Sequence, residues 1–333
     1  MRINRAQLVS SFILAAGMSG LGLLQAQTAQ VRAKVSTVIP VYEAKTQVKG
    51  ALDLIGTDAL SDLGDEWSSA FRKFHPGSNL IYRPKLTTEA VKNLIDGTTL
   101  LIITARVLTA DETKAFQTKY EYMPMRIPVC LDANIVFVNK NNPIASITME
   151  QLDAIYSKTR LGGAKAAAIT WGDLGVKGEW EKLPIMAYTR QSTSATYASV
   201  IEKVALNGEL RADILERADD SALAEVITTD RGGIAIGTMA SWYFANKVLP
   251  VVPLHGAEDA RFPDQDNITT SRYPMPRLYY VYLNRTPGAP LPAATNELVH
   301  FLLSLEGQNA VADSGLLPGP PEFLQIAIKR LNR

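Results

Sequence analysis

Three short segments of the 333-residue chain combine hydroxyls, backbone amides and charge in a way that suits an anion. Gly56-Thr-Asp-Ala-Leu60 follows a run that reads as a strand and opens one that reads as a helix. Thr87-Thr88-Glu89-Ala90 stands just before a second helical run. Arg190-Gln-Ser-Thr-Ser194-Ala195-Thr196 lies where a strand ends and a helix opens, and it adds a guanidinium. Strand-to-helix turns present free N–H groups and the positive end of a helix, which makes them ready anion sites. Arginine suits a tetrahedral oxyanion because its donors form a fixed fork. Taken singly, the first two segments also read as ordinary helix caps, through Thr57 or Asp58 and through the threonines at 87 and 88. Three at the same kind of corner point to one anion at the carboxyl edge of a sheet.

Other chemistries find little support. No G-x-S-x-G elbow, H-E-x-x-H helix, P-loop or G-x-G-x-x-G turn is present. Cys130 is the single cysteine, which excludes an intrachain disulfide, a cysteine zinc site and an iron–sulfur cluster. His75, His255 and His300 are too few and too scattered for a histidine metal site. His75, before Pro76, reads as a solvated helix end, and His300 as a structural residue of a late helix. The expectation is therefore a protein without metal or cofactor, and not an enzyme. Lys+Arg 34 against Asp+Glu 33 leaves a formal charge of +1, so bulk charge implies no nucleic-acid partner. Hydrophobic residues at 47% and charged residues at 20% describe a globular chain with ample core.

The elements that must position the three corners can be read in order. Arg2 and Arg5 precede an uncharged, mostly apolar run from Leu8 to Leu24 and a small-residue exit with a cut after Ala26. That order predicts a signal peptide over residues 1–26 and export to the periplasm. No cysteine follows the apolar run to carry a lipid anchor, and no later stretch is long and apolar enough to span a bilayer. Residues 27–48 are polar without a period and read as a flexible arm. Ala51–Ile55 reads as a strand; Leu60, Leu63, Trp67, Ala70, Phe71 and Phe74 then mark one stripe of a helix that Pro76-Gly77 stops. Asn79–Tyr82 and Leu100–Ile103 are strands, with a helix between them carrying Ala90, Val91, Leu94 and Ile95. This alternation implies a parallel α/β sheet. Further on, Ile127–Val138 reads as strand with one interruption, and Thr148 as the cap of a helix carrying Met149, Leu152, Ile155 and Tyr156. Ile185–Tyr188, Gly232–Gly237, Val248–Leu254 and Leu278–Leu283 read as strands, and Tyr197–Val204 and Leu298–Leu305 as helices. Residues 158–182 and 256–276 read as loops.

These motifs, in this order, resemble the phosphate-binding proteins of high-affinity phosphate ABC transporters, a branch of the type II periplasmic-binding fold. The likeness runs from about Gly50 to Pro318. Gly56-Thr-Asp-Ala-Leu60, the Trp67 and Phe71 helix and His75-Pro-Gly are similar to the family's first binding corner. Thr104-Ala-Arg-Val-Leu108 with Asp111-Glu112 is similar to its S-R-x-L…E segment, and Arg190 with Ser194-Ala-Thr196 to its Arg and Ser-Gly-Thr phosphate loop at the same spacing. Trp171-Gly-Asp-Leu174, Tyr273-Pro274 and Glu306-Gly-Gln308 complete the order.

The resemblance implies two α/β lobes, each a mixed, mostly parallel sheet flanked by helices, joined by two hinge crossovers and closing over the anion. Lobe 1 would take residues 49–131 and 245–325, and lobe 2 residues 132–244. It implies amides of Asp58 and Ala59, the hydroxyls of Thr88, Ser194 and Thr196, the Arg190 guanidinium and the Ala195 loop on the anion, with Arg106 joining them. It also implies a monomer that delivers inorganic phosphate, or a similar oxyanion, to an ABC permease in the inner membrane. The chain departs from the family at Ala59, Ala105 and Ala195, where a threonine or aromatic, a serine and a glycine are usual. A lost hydrogen bond to a charged group costs about 1.5–3 kcal/mol, tenfold or more in affinity. Asp58 is the candidate acceptor for the proton of hydrogen phosphate, which sulfate lacks. Two other readings stay open here: the same fold taking sulfate, molybdate or an organic phosphate, and a binding module or sensor without a transporter.

Overall fold

The computed structural model describes residues 32–243, 247–254 and 259–332. The signal peptide expected over 1–26 lies outside them. No helix among the described residues is long and apolar enough to cross a membrane.

The first unit opens with β1 (Gly50–Gly56), α1 (Ser61–Phe74), β2 (Ser78–Pro84), α2 (Thr87–Asp96), β3 (Leu101–Thr104), α3 (Ala110–Tyr120) and β4 (Met125–Ala133). β1 pairs in parallel with β2 and with β3, as the strand–helix alternation requires. In α1 the stripe of Leu63, Trp67 and Phe71 is buried, and the helix ends at His75, ahead of Pro76. α3 starts on a capping box in which Thr109 accepts from the Glu112 amide and Glu112 from the Thr109 amide.

The strand read over 127–138 divides at Asn134. β4 belongs to the first sheet, while β5 (Ile135–Val138) opens the second. The second unit continues with β6 (Ile147–Thr148), α4 (Met149–Tyr156), β7 (Met186–Arg190), α5 (Ala195–Lys203), β8 (Leu215–Arg217), α6 (Asp220–Thr229) and β9 (Gly233–Gly237). β10 (Lys247–Leu249), β11 (Val251–Val252) and α7 (Gln265–Thr269) follow. Thr148 caps α4 as expected, accepting from the Gln151 amide at 3.0 Å. The chain then returns through β12 (Pro276–Leu283) and closes with α8 (Ala293–Leu303), α9 (Leu305–Asp313), β13 (Leu317–Pro318) and α10 (Pro321–Leu331).

Strand order is β13-β4-β12-β3-β1-β2 in the first sheet and β10-β5-β9-β7-β8 in the second. Both sheets are mixed, because β12 runs antiparallel to β3 and β4, and β5 antiparallel to β9 and β10.

Strand pairing moves the expected lobe boundaries. β10 pairs with β5 and β11 with β6, so residues 247–252 belong with the second unit rather than with 245–325 of the first. Ile268, Tyr273 and Met275 pack in that same core. Asp132 and Ala133 in turn stay in the first sheet, paired with Arg277 and Pro276. The return crossover therefore falls at Met275–Pro276, beside the first at Asn134. The Asn134 amide donates to the Met275 carbonyl at 3.0 Å, and the Tyr273 hydroxyl to the Asn134 carbonyl at 2.7 Å. The sequence hides this because Pro250 splits one apolar run into two short strands.

Residues 32–48 are not the flexible arm their polarity suggested. They form a strap across the first unit, with Ile39, Tyr42 and Val48 buried. The Tyr42 ring packs edge-on against Phe74 and Phe301. Its hydroxyl donates to Glu297 at 2.6 Å and lies 2.7 Å from His75 Nε2, while the Val48 amide donates to His75 Nδ1 at 3.2 Å. An extended strap has no period, so its anchors do not announce themselves in the sequence.

His75 is accordingly buried, not solvated. The chain of donors needs a neutral ring with its proton on Nε2, and a proton on Nδ1 would face the Val48 amide. Burial holds its pKa below the usual 6.5, against an opposing pull from Glu297. The folded form thus resists a proton that the unfolded chain takes up near pH 6.5. Stability is complete above that value and declines as pH falls from it toward the lowered folded value. Thermal unfolding across about pH 5–7.5 reads the effect. The His75→Gln chain is expected to lose this part of the acid decline; the same decline in both would remove His75 as its source.

Candidate anion-binding site

The three corners named from sequence do meet. A cleft of about 420 Å³ lies between the two units. Its first wall carries Thr57 and Asp58, Thr87 and Thr88, and Ala105 to Val107; its second carries Thr193 to Ala195 and one face of α5. Its floor is the start of β12, from Pro276 to Leu278.

The first corner is fixed by a close approach. Tyr82 of β2 lies flat across Gly56 and Gly64, where an added Cβ would come within 2.3 Å and 2.2 Å of the Tyr82 side chain. The Tyr82 hydroxyl donates to the Thr57 carbonyl at 2.7 Å. Any side chain at either glycine would displace the ring and release the corner. Asp58 does not cap its helical turn; its carboxylate is exposed on the cleft wall and accepts from the Thr57 hydroxyl at 3.2 Å. α2 likewise begins without a side-chain cap, so the Thr87 and Thr88 hydroxyls are not spent on its first turn.

At the third corner Ser194 is the N-cap of α5 and accepts from the Tyr197 amide at 3.1 Å. A hydroxyl that accepts a cap bond keeps its own proton to donate. Ser194 and Ala195 thus bring a donor hydroxyl and the amide end of α5 to the cleft wall.

The arginines divide unexpectedly. Arg106 lines the cleft, but Glu112 grips both terminal nitrogens at 2.8 Å, so its charge is largely neutralised. That contact holds the Glu112 carboxyl below the usual range. Arg190 does not reach the cleft wall. It donates to Asp220 at 2.9 Å and to the Ala218 carbonyl at 3.2 Å. Asp220 also accepts from the Thr238 amide and hydroxyl and from the Ser241 hydroxyl. Arg190 therefore ties the end of β7 to α6 and so steadies the loop that leads to Ser194.

Of the residues expected on the anion, Asp58, Thr88, Arg106, Ser194 and Ala195 line the cleft, while Ala59, Arg190 and Thr196 lie off its wall. Thr196 is buried just behind, and its hydroxyl meets an arginine absent from the sequence reading, Arg277 of β12, at 3.4 Å. Arg277 is 5% exposed and lines the cleft floor. A second contact at 3.4 Å links it to Asp132 of β4. Asp132 also accepts from the Ala133 and Met239 amides and, at 3.4 Å, from the Tyr279 hydroxyl. Burial pushes the Asp132 carboxyl upward, against the pull of Arg277 and the two amides. The alternation of β12 could have found Arg277. It stands in phase with Tyr279 and Val281, which are buried, so the pattern puts a guanidinium on an inward face. Among the described residues no group of acidic, histidine and cysteine side chains could hold a metal.

The chain matches the PBP superfamily domain over residues 41–306. It is 31% identical to the phosphate-binding protein PstS of Pseudomonas aeruginosa over 333 residues, 99% of each chain. Among solved structures it is similar to a possible phosphate binding protein from Planctomyces limnophilus, with a TM-score of 0.65 and 19% identity. That match covers 86% of this chain and 99% of the other. It is also similar to an ABC-type phosphate transport receptor from Vibrio cholerae, with a TM-score of 0.63 and 18% identity over 80% of this chain and 99% of that one.

Proposed function

Since the chain belongs to the PstS family of phosphate-binding proteins, within the PBP superfamily and with its two-lobed type II fold, we propose that its interlobe cleft captures inorganic phosphate. The observation that carries this reading is the convergence on one cleft of the α5 amino terminus with Ser194, the uncapped α2 start with Thr88, and the Asp58 carboxylate. Amides, hydroxyls and a helix end suit the anionic oxygens. Asp58, free of capping duty, accepts the proton of hydrogen phosphate, and an unpaired acceptor at that point rejects sulfate. Lobe closure about the crossovers at Asn134 and Met275 encloses the ligand. No covalent step is required. The exported protein, as a monomer, hands phosphate to an ABC permease.

Ala105 and Ala195 line the same cleft and lack the hydroxyl and the bare backbone of relatives. They favour a second reading in which another oxyanion is the ligand. Retention of labelled phosphate by the exported protein, with unlabelled sulfate, molybdate and a phosphate ester as competitors, separates the two. Only unlabelled phosphate is expected to displace the label. Equal displacement by sulfate or molybdate would support the second reading, and no retention at all would refute the first.

A further inference from the structure

Arg277 is held in a way that its neighbours do not explain. Its side chain is almost wholly buried over the Tyr279 ring, yet its two hydrogen-bond contacts, to Asp132 and Thr196, both lie at 3.4 Å through Nη1. Nη2 is buried without a partner. Desolvating a guanidinium while leaving part of its fork unfilled is costly, and folded proteins rarely do so without a use for the free donor. Arg106 has its fork filled by Glu112, and Arg190 is tied to Asp220. Among the described residues, Arg277 carries the buried guanidinium nitrogen that lacks an acceptor, and the residue lines the floor of the cleft.

We propose that Arg277 contributes a guanidinium to the oxyanion, its free Nη2 donating to the ligand while Asp132 fixes the fork from the neighbouring crossover strand. This rests on the reading of the cleft as an oxyanion site and assigns the charge within it. The placement also couples binding to closure. Arg277 stands two residues past Met275 on the return crossover, and Asp132 two residues before Asn134 on the outward one. Arg277 also reaches Thr196 on α5 of the other unit. An anion on Nη2 therefore pulls together a strand of the first unit, a helix of the second, and both crossovers.

The test is calorimetric titration of anion-stripped protein with inorganic phosphate. Binding by the unmodified chain is the condition set by the cleft reading; no binding there overturns that reading and the Arg277 assignment with it. Given binding, Arg277→Gln is expected to weaken it at least a hundredfold, and Arg277→Lys, which keeps charge without the fork, by less. A folded Arg277→Gln chain with affinity within threefold of the unmodified one would overturn the assignment, because a purely structural role lowers stability and not the affinity of the folded form. Arg277→Gln leaves Asp132 without its counter-charge, so the double replacement of Arg277→Met with Asp132→Asn supplies a neutral pair for the same measurement. In the unmodified protein, the side-chain NMR signal of Arg277, assigned by its absence from the Arg277→Lys chain, is expected to shift on phosphate addition. An unmoved signal at saturation would equally refute the proposal.

Discussion

A Ser194→Asp chain is expected to fold normally and to bind phosphate at least a hundredfold more weakly than the unmodified protein. Ser194 caps α5 by accepting from the Tyr197 amide. Aspartate caps as well as serine, and its charge suits the positive end of the helix, so stability is expected to hold or rise by about 0.3–1 kcal/mol. The same carboxylate stands on the cleft wall. A unit charge about 4 Å from a bound anion costs roughly 4 kcal/mol at an effective dielectric of 20. That is about a thousandfold in affinity before screening. Thermal unfolding and calorimetry on one preparation separate the two effects. Unchanged affinity would place the anion away from α5.

Asp132→Ala is expected to lower unfolding stability by about 3–5 kcal/mol, the range for removing one partner of a buried ion pair. The carboxylate accepts from two amides, a phenol and Arg277, and one of those amides, Met239, belongs to the second unit. Its loss leaves buried donors on both sides of the crossovers. Asp132→Asn keeps a carbonyl for the amides and is expected to lose less. Urea unfolding of the three chains measures this. A loss below about 1 kcal/mol for the alanine chain would mean that the pair contributes no more than an exposed one.

Local signals in the sequence reached the three corners. The α1 stripe, the Thr148 cap and the break within 127–138 each depend on near neighbours, and each stands in the fold. The break turned out to be the first crossover. What depended on distant partners was hidden. β12 pairs with β3 and β4, more than a hundred residues earlier, and nothing local marks that register. α6 and α10 lie outside the elements read from the sequence, although their buried Leu223, Ala224, Ile227 and Leu324, Ala327, Leu331 follow helical spacing. The strap of residues 32–48 is held by single anchors such as Tyr42 rather than by a periodic face. At the site, spacing named Ser194 and Asp58, and both stand on the cleft wall. It gave Arg106 and Arg190 but not Arg277, because which guanidinium keeps a donor free is decided by Glu112 and Asp220 engaging the other two.

The most direct measurement is a calorimetric titration of the anion-stripped chain from Gln27 onward with phosphate and, separately, with sulfate. Micromolar or tighter phosphate binding, about −8 kcal/mol or better, with no heat from sulfate is the expected result. Silence toward phosphate would contradict the account, leaving the family's fold around a cleft that serves another ligand.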